Sequence, residues 1–327
     1  MKHDKSIIYM GTPEFAVAPL RKLIENQFKI AAVVTVPDKP AGRGLKLQES
    51  PVKQFANEYK IPVLQPVKLN EPEFIESLKQ YKASLFIVVA FRKLPEAVWS
   101  LPPLGCFNLH ASILPQYRGA APINHAVMNG EKTTGVTTFF INDRIDTGKI
   151  IMQREIPVGP DETAGEVHDR LMASGADLVV ETAEAIFTGN FTEKDQAVMQ
   201  EKTGQDGLNE SELKKAPKIF RDDCMINWQQ SALSIHNFIR GLSPYPGAFG
   251  MLATPEGNKE IKVLKSALTN IPSKETPGRI FLFKKQFFVS TTDNLIELLI
   301  LKPAGKKTMS AEEYIRGNRL ELSAFIG

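Results

Sequence analysis

Asn108 and His110 stand two residues apart in the segment GCFNLHASILPQYRGAAPI, Gly105 to Ile123. On an extended chain that spacing sends both side chains to one face. A carboxamide and an imidazole side by side can act on one substrate atom. A third group comes from Ile141-Asn142-Asp143-Arg144-Ile145-Asp146-Thr147-Gly148. Asp146 is the candidate there, because a carboxylate beside an imidazole favours the charged ring and fixes which nitrogen holds the proton, as a general acid requires. Asp143 competes for that role on sequence alone. An Asp-Thr-Gly by itself is a turn, and only a link to His110 gives Asp146 a chemical part.

A scaffold must position these groups. Ser6-Met10, Ile30-Val36, Leu85-Ala90 and Cys106-Leu109 are short apolar runs separated by helical patterns, which predicts an α/β fold with a Rossmann-like, doubly wound parallel sheet. The chemical segment starts as the fourth of these strands and ends entering a helix. That places Asn108 and His110 at a C-terminal strand end, where such sheets bind ligands. The apolar run Val136-Ile141 and the strand Ile150-Ile156 flank the Asp146 segment. A helix is expected over Thr163-Thr188, opened by a threonine cap with Glu166 three residues on. The expected organisation is a catalytic domain over residues 1–190 and a linker over 191–217 that turns polar around Thr203-Gly204-Gln205-Asp206-Gly207. A second domain over 218–327 follows. Its helix Ser231-Leu242, its turn Ser243-Pro244-Tyr245-Pro246-Gly247 and its strands Ile261-Leu264, Arg279-Phe283, Phe287-Thr291 and Leu295-Leu301 fit a small OB-like β-barrel.

Composition narrows the class. A chain of 327 residues exceeds what one core usually organises, and 43% hydrophobic with 24% charged residues is ordinary for a globular protein. No stretch approaches the roughly 18 apolar residues of a membrane span, and MKHDKSIIYMGTPEF runs directly into a strand pattern, so a cytoplasmic protein without membrane contact is expected. Cys106 and Cys224, the two cysteines, suggest neither a disulfide framework nor a metal site, and no metal is expected. The net charge is +3. The chain is slightly acidic up to Gly207 and basic beyond it, which points the second half toward an anionic partner. The turn Gly11-Thr12-Pro13-Glu14-Phe15-Ala16 lacks the later glycines of a dinucleotide fingerprint and places an acid where phosphate would sit; no Walker loop is present either.

The segments around Asn108, His110 and Asp146 resemble the folate-dependent formyltransferases, together with Met10-Ala16, VPDKPAGRGLKL at Val36-Leu47 and PAGKKTMSAEEYIRG at Pro303-Gly317. The resemblance runs nearly the whole length. It implies an enzyme that takes the formyl group of 10-formyltetrahydrofolate, a cosubstrate, and gives it to an amine. Asn108 and His110 would stabilise the developing oxyanion and Asp146 would orient the ring. The Lys39-Leu47 segment and the full second domain favour the members acting in translation initiation, which makes initiator methionyl-tRNA the implied partner and a monomer the implied state. Folate contacts are implied for Ser112, Ile113, Leu114 and Pro115, and for Val89 in the third strand and Phe91 just after it. One departure stands out: Phe91-Arg92-Lys93-Leu94 replaces the tyrosine-glycine and apolar residues common in relatives. Lys39, Arg43 and Lys46, in an exposed loop rich in proline and glycine, are implied tRNA contacts, and Lys284, Lys285, Lys302, Lys306 and Lys307 form a candidate phosphate-binding face. The rival readings are a formyltransferase or hydrolase acting on a small amine or on water, and a noncatalytic RNA-binding protein.

Overall fold

The fold is given by a computed structural model that describes residues 4–41, 46–197, 212–253 and 257–318. Arg43 and the expected linker centre, Thr203 to Gly207, lie outside the described residues. The chain begins β1 (Ser6–Gly11), α1 (Glu14–Glu25), β2 (Lys29–Val34), β3 (Lys39–Ala41), β4 (Lys46–Gln48), α2 (Pro51–Glu58), β5 (Val63–Leu64), α3 (Pro72–Gln80) and β6 (Leu85–Val89). It continues with α4 (Glu96–Trp99), β7 (Cys106–His110), β8 (Arg118–Gly119), α5 (Pro122–Met128), β9 (Thr133–Phe140), β10 (Ile150–Pro157), α6 (Ala164–Thr188) and β11 (Lys215–Ala216).

Contacts divide the chain into two compact units. One comprises Met1–Gly119, Gly135–Ile156 and Asp169–Lys215; the other comprises Ala120–Thr134, Pro157–His168 and Ala216–Gly327. The first is built on a seven-stranded sheet of order β10-β9-β7-β6-β1-β2-β5. Its central strands are buried along their whole length, as in β1 (SIIYMG) and β6 (LFIVV), which suits continuous apolar runs covered on both faces. From β1 the chain pairs in parallel with β2 on one side and with β6 on the other, and β7 extends the parallel set beyond β6. The apolar run after residue 135 adds β9 antiparallel to β7, so the sheet is mixed at this end. Ile8, Met10, Val34, Phe86 and Val88 anchor one core cluster. On α6, Gly175 lets the helix approach β7, since a Cβ there would stand 2.8 Å from the Leu109 side chain. The expected capping box is formed: Thr163 N–H donates to Glu166 and Glu166 N–H donates to the Thr163 hydroxyl.

The segment expected to be an exposed loop is partly structured, because β3 and β4 pair as an antiparallel ribbon, Lys39 opposite Gln48 and Ala41 opposite Lys46. Its base is fixed. Asp38 accepts from the Lys53 ammonium and the Gln65 amide, which hold its carboxyl below the usual range. Lys39 is exposed, and Lys46 is described only in its backbone.

The second unit carries α7 (Ala232–Leu242), β12 (Ala248–Leu252), β13 (Lys259–Pro272), β14 (Ile280–Phe283), β15 (Gln286–Ser290), β16 (Asn294–Pro303), β17 (Met309–Ser310) and α8 (Ala311–Gly317). The small barrel element expected here is a six-stranded antiparallel sheet of order β12-β13-β16-β15-β14, with β17 on β16. Trp228, Ile235, Ile239, Val263, Phe287 and Leu298 fill its core. Sequence periodicity shows only the first part of β13, because register shifts after Val263, Lys265 and Leu268 break the alternation that marks a strand. Residues 120–134 and 157–168 join this unit through specific bonds: Asn124 donates to the Gly241 carbonyl at 2.8 Å, and the Arg240 guanidinium donates to the carbonyls of Gly159 and Glu162. Among the described residues no helix is long and apolar enough to cross a membrane.

Candidate active site

Strand β7 delivers Asn108 and His110. The Asn108 backbone lies between Val88 of β6 and Phe139 of β9, so its position is fixed from both sides. Its side chain is half-buried and makes no hydrogen bond among the described residues, leaving a donor free for a ligand. His110 is buried, 6% exposed. Its Nε2 lies 2.8 Å from the Tyr117 carbonyl oxygen. A carbonyl only accepts, so Nε2 carries the proton in this arrangement.

Asp146 approaches the other ring nitrogen, with Oδ2 at 3.7 Å from His110 Nδ1. That exceeds a hydrogen-bond distance, so the carboxylate acts on the ring through charge and placement. The competing Asp143 is exposed and makes no such approach. Asp146 holds a left-handed backbone, φ 54°, a conformation costing of order 1 kcal/mol outside glycine. Three contacts hold it there. Its Oδ2 accepts from Gly119 N–H at 3.0 Å. Its carbonyl accepts from Gln196 Nε2 at 3.0 Å, and Gln196 also donates to the Gly148 carbonyl at 2.8 Å. Gly148 has no room for a side chain, since a Cβ would stand 1.6 Å from the Phe140 oxygen.

Gln196 is the bracing residue beside this site that sequence reasoning missed. It is 2% exposed, and its Oε1 accepts twice from the Arg118 guanidinium, at 3.0 and 2.6 Å. One buried carboxamide thus ties the turn carrying Asp146 to Arg118. It lies 50 residues from Asp146 in a polar stretch without periodicity, so no local spacing signals it.

The residues implied for folate occupy the ends of β6 and β7. Val89 is the last residue of β6 and pairs with Leu109, so β7 runs one residue further, to His110. Phe91 is half-buried against the core, and the departing Arg92 stacks 5.4 Å from the Phe91 ring while donating to the carbonyls of Pro66 and Val67. Arg92 therefore pins this segment. Ser112 and Leu114 are fully buried: the Ser112 hydroxyl donates to the Gln116 carbonyl, and Leu114 packs with Phe139 and Ile150. Thr137 and Gln153 hold the Leu114 backbone. Only Ile113 and Pro115 keep partial exposure. Among the implied RNA contacts, Lys285 is paired with Glu312 at 2.8 Å and Lys284 lies over Phe283, while Lys302, Lys306 and Lys307 are exposed.

The site is thus a free carboxamide, an oriented imidazole and a braced carboxylate at the C-terminal edge of a mainly parallel sheet, suited to stabilising a developing oxyanion. Comparison with known proteins identifies the family. Residues 5–183 match the family described as "Formyl transferase", and residues 218–319 match "Formyl transferase, C-terminal domain". A Bacteroides fragilis protein named "Methionyl-tRNA formyltransferase" is 48% identical, over 98% of this chain and 97% of its own. A Porphyromonas gingivalis protein of the same name is 43% identical over 99% of both chains. Among solved structures, WlaRD, a sugar 3N-formyl transferase determined in the presence of dTDP and 5-N-formyl-THF, superposes with a TM-score of 0.62 at 21% identity, covering 93% of this chain and all of its own. HypX from Aquifex aeolicus, in complex with tetrahydrofolic acid, gives 0.62 at 16% identity, covering 94% of this chain and 46% of its own. At those identities the two structures attest the fold. The family matches and the near full-length identity place the chain in the formyl transferase family, among the methionyl-tRNA formyltransferases.

Proposed function

We propose that the protein transfers the formyl group of 10-formyltetrahydrofolate to the α-amino group of methionine esterified to initiator tRNA. The convergence of Asn108, His110 and Asp146 on one strand end carries the chemistry. Near full-length identity to proteins of that name supports the acceptor.

The neutral amine attacks the formyl carbon, and the carbonyl oxygen takes on negative charge in the tetrahedral intermediate. Asn108, whose carboxamide makes no hydrogen bond among the described residues, donates to that oxygen. His110 supplies the second donor once its Nε2–H leaves the Tyr117 carbonyl, and Asp146 holds the ring and offsets its positive charge. The carbon–N10 bond then breaks. The proton lost by the amine passes through water to N10, giving formylated methionyl-tRNA and tetrahydrofolate. Phe91, Ile113 and Pro115, partly exposed at adjacent strand ends, form an apolar rim that suits a flat pterin. Lys39 and Lys46 of the ribbon and Arg43, with the exposed Lys302, Lys306 and Lys307, supply cations for the RNA backbone.

The test is an assay of purified protein with 10-formyltetrahydrofolate and methionine-charged initiator tRNA, with charged elongator tRNA and a nucleotide-linked amino sugar as controls. Transfer confined to the initiator species is expected. Transfer to the amino sugar, or formate release without an amine, would establish the rival reading.

A further inference from the structure

Gln196 braces the turn that carries the carboxylate, and a separate set of bonds braces the imidazole. The carbonyl that receives His110 Nε2 belongs to Tyr117, a buried residue in the left-handed backbone region, φ 60°. A residue with a side chain keeps that conformation only where its surroundings impose it. Here the neighbour that imposes it is Gln116. Its Oε1 accepts from Lys214 N–H at 2.9 Å, and the next amide, Tyr117 N–H, donates back to the Lys214 carbonyl at 2.6 Å. The Gln116 backbone is fixed as well: its carbonyl accepts from the Ser112 hydroxyl at 2.7 Å, and its N–H donates to the Ile113 carbonyl at 3.1 Å. Just beyond Tyr117, Gly119 N–H donates to Asp146 Oδ2 at 3.0 Å, so one short segment touches both the imidazole and the carboxylate.

We propose that Gln116 is a positioning residue for formyl transfer: by gripping the Lys214 backbone it aims the Tyr117 carbonyl at His110 and so keeps the ring proton on Nε2. The inference rests on the reading of His110 as an oxyanion donor. What is at stake is the tautomer. A neutral imidazole holds one proton, and both of its nitrogens here face acceptors, the Tyr117 carbonyl oxygen at 2.8 Å from Nε2 and the Asp146 carboxylate at 3.7 Å from Nδ1. Only the first is a hydrogen-bond distance, so the proton stays on Nε2. Once the carbonyl drifts, that advantage passes to the carboxylate. The proton then moves to Nδ1, and the nitrogen that serves the oxyanion becomes an acceptor. The Gln116 side chain enters this chain of contacts only as an acceptor, a part that glutamate can fill and leucine cannot.

The experiment compares the full-length wild type with Gln116→Leu and Gln116→Glu, with melting temperature as the folding control. The ring nitrogen chemical shifts of His110, assigned against His110→Gln and recorded at alkaline pH without substrate, report the tautomer. Wild type and Gln116→Glu should show Nε2–H, and Gln116→Leu a mixture with Nδ1–H. In formyl transfer to methionyl-tRNA, Gln116→Leu should lower kcat by about ten- to a hundredfold with the KM for either substrate unchanged, and Gln116→Glu should retain most of the rate. A leucine variant with the wild-type tautomer and kcat, whatever its melting temperature, overturns the proposal; so does a fall in kcat that glutamate does not restore. The tautomer is read without substrate, which separates the two claims. A wild type that does not formylate methionyl-tRNA refutes the functional reading and the catalytic part of Gln116 with it, whereas normal formylation with an unmoved tautomer refutes the role of Gln116 alone.

Discussion

Gln196 donates a hydrogen bond to the backbone carbonyl of Asp146 at 3.0 Å, so a residue from beyond the last helix of the mainly parallel sheet fixes the turn that aims the carboxylate at His110. The same amide accepts from Arg118 and serves Gly148. Replacing it with leucine removes its bonds to two carbonyls and to the Arg118 guanidinium, at about 1–3 kcal/mol for a buried group left unsatisfied. Gln196→Leu should lower the melting temperature and reduce kcat more than the KM for either substrate, because it displaces a catalytic group and no binding surface. A variant that loses stability but keeps wild-type kcat would make Gln196 purely structural.

The Asn108 side chain has no hydrogen bond to lose among the described residues, so Asn108→Ala should fold normally. Its effect falls on the transition state alone. Removal of one oxyanion donor costs on the order of a hundredfold or more in kcat. A rate within a factor of three of wild type would remove Asn108 from the mechanism.

The second unit contains an acid-sensitive group far from the chemistry in sequence. His236 is 2% exposed, with Nδ1 at 3.1 Å from the Ser266 hydroxyl and Nε2 beside the Pro160 carbonyl. Burial holds its pKa below the ordinary 6.5; Arg240 acts in the same direction, and the Pro160 carbonyl and Asp161 oppose it. The unfolded chain then binds the proton more readily than the folded one, so stability is retained above pH 6.5 and falls as pH drops below it. Urea unfolding of wild type and His236→Gln across pH 5 to 8, a range of about three units around the histidine titration, should show a shallower acid slope in the variant. Parallel slopes would mean that His236 does not carry the effect.

Both cysteines are buried and unpaired, and burial pushes both thiols above their ordinary range. Thiolate is the reactive form. A disulfide-exchange reagent should leave the native protein unlabelled over minutes and label both residues once denaturant is added. Rapid labelling of Cys106 in the native state would contradict its placement in the sheet.

The sheet was legible in sequence because its strands are buried on both faces, so β1, β6 and β7 read as unbroken apolar runs. Helix α6 was legible through Thr163 and Glu166, whose reciprocal bonds are local. Asn108 and His110 could be paired by spacing alone. The choice of Asp146 over Asp143 could not, since it depends on a left-handed turn that brings the carboxylate to the imidazole. Gln196 and the late part of β13 were hidden for different reasons, one a contact across 50 residues, the other a strand whose bulges erase its period. Ser112 and Leu114 carry polar and apolar side chains alike into the interior, so composition alone could not tell a ligand-facing turn from an inward-packed one.

A double-substitution cycle in single-turnover formyl transfer tests most directly whether the amide, the imidazole and the carboxylate act as one unit. Rates are measured for wild type, Asn108→Ala, Asp146→Asn and the pair combined. Groups serving one oxyanion should show losses that fail to multiply, the double variant being scarcely slower than the worse single one. Losses that multiply in full would show that Asn108 and Asp146 act on separate steps, and the shared-oxyanion account would fall.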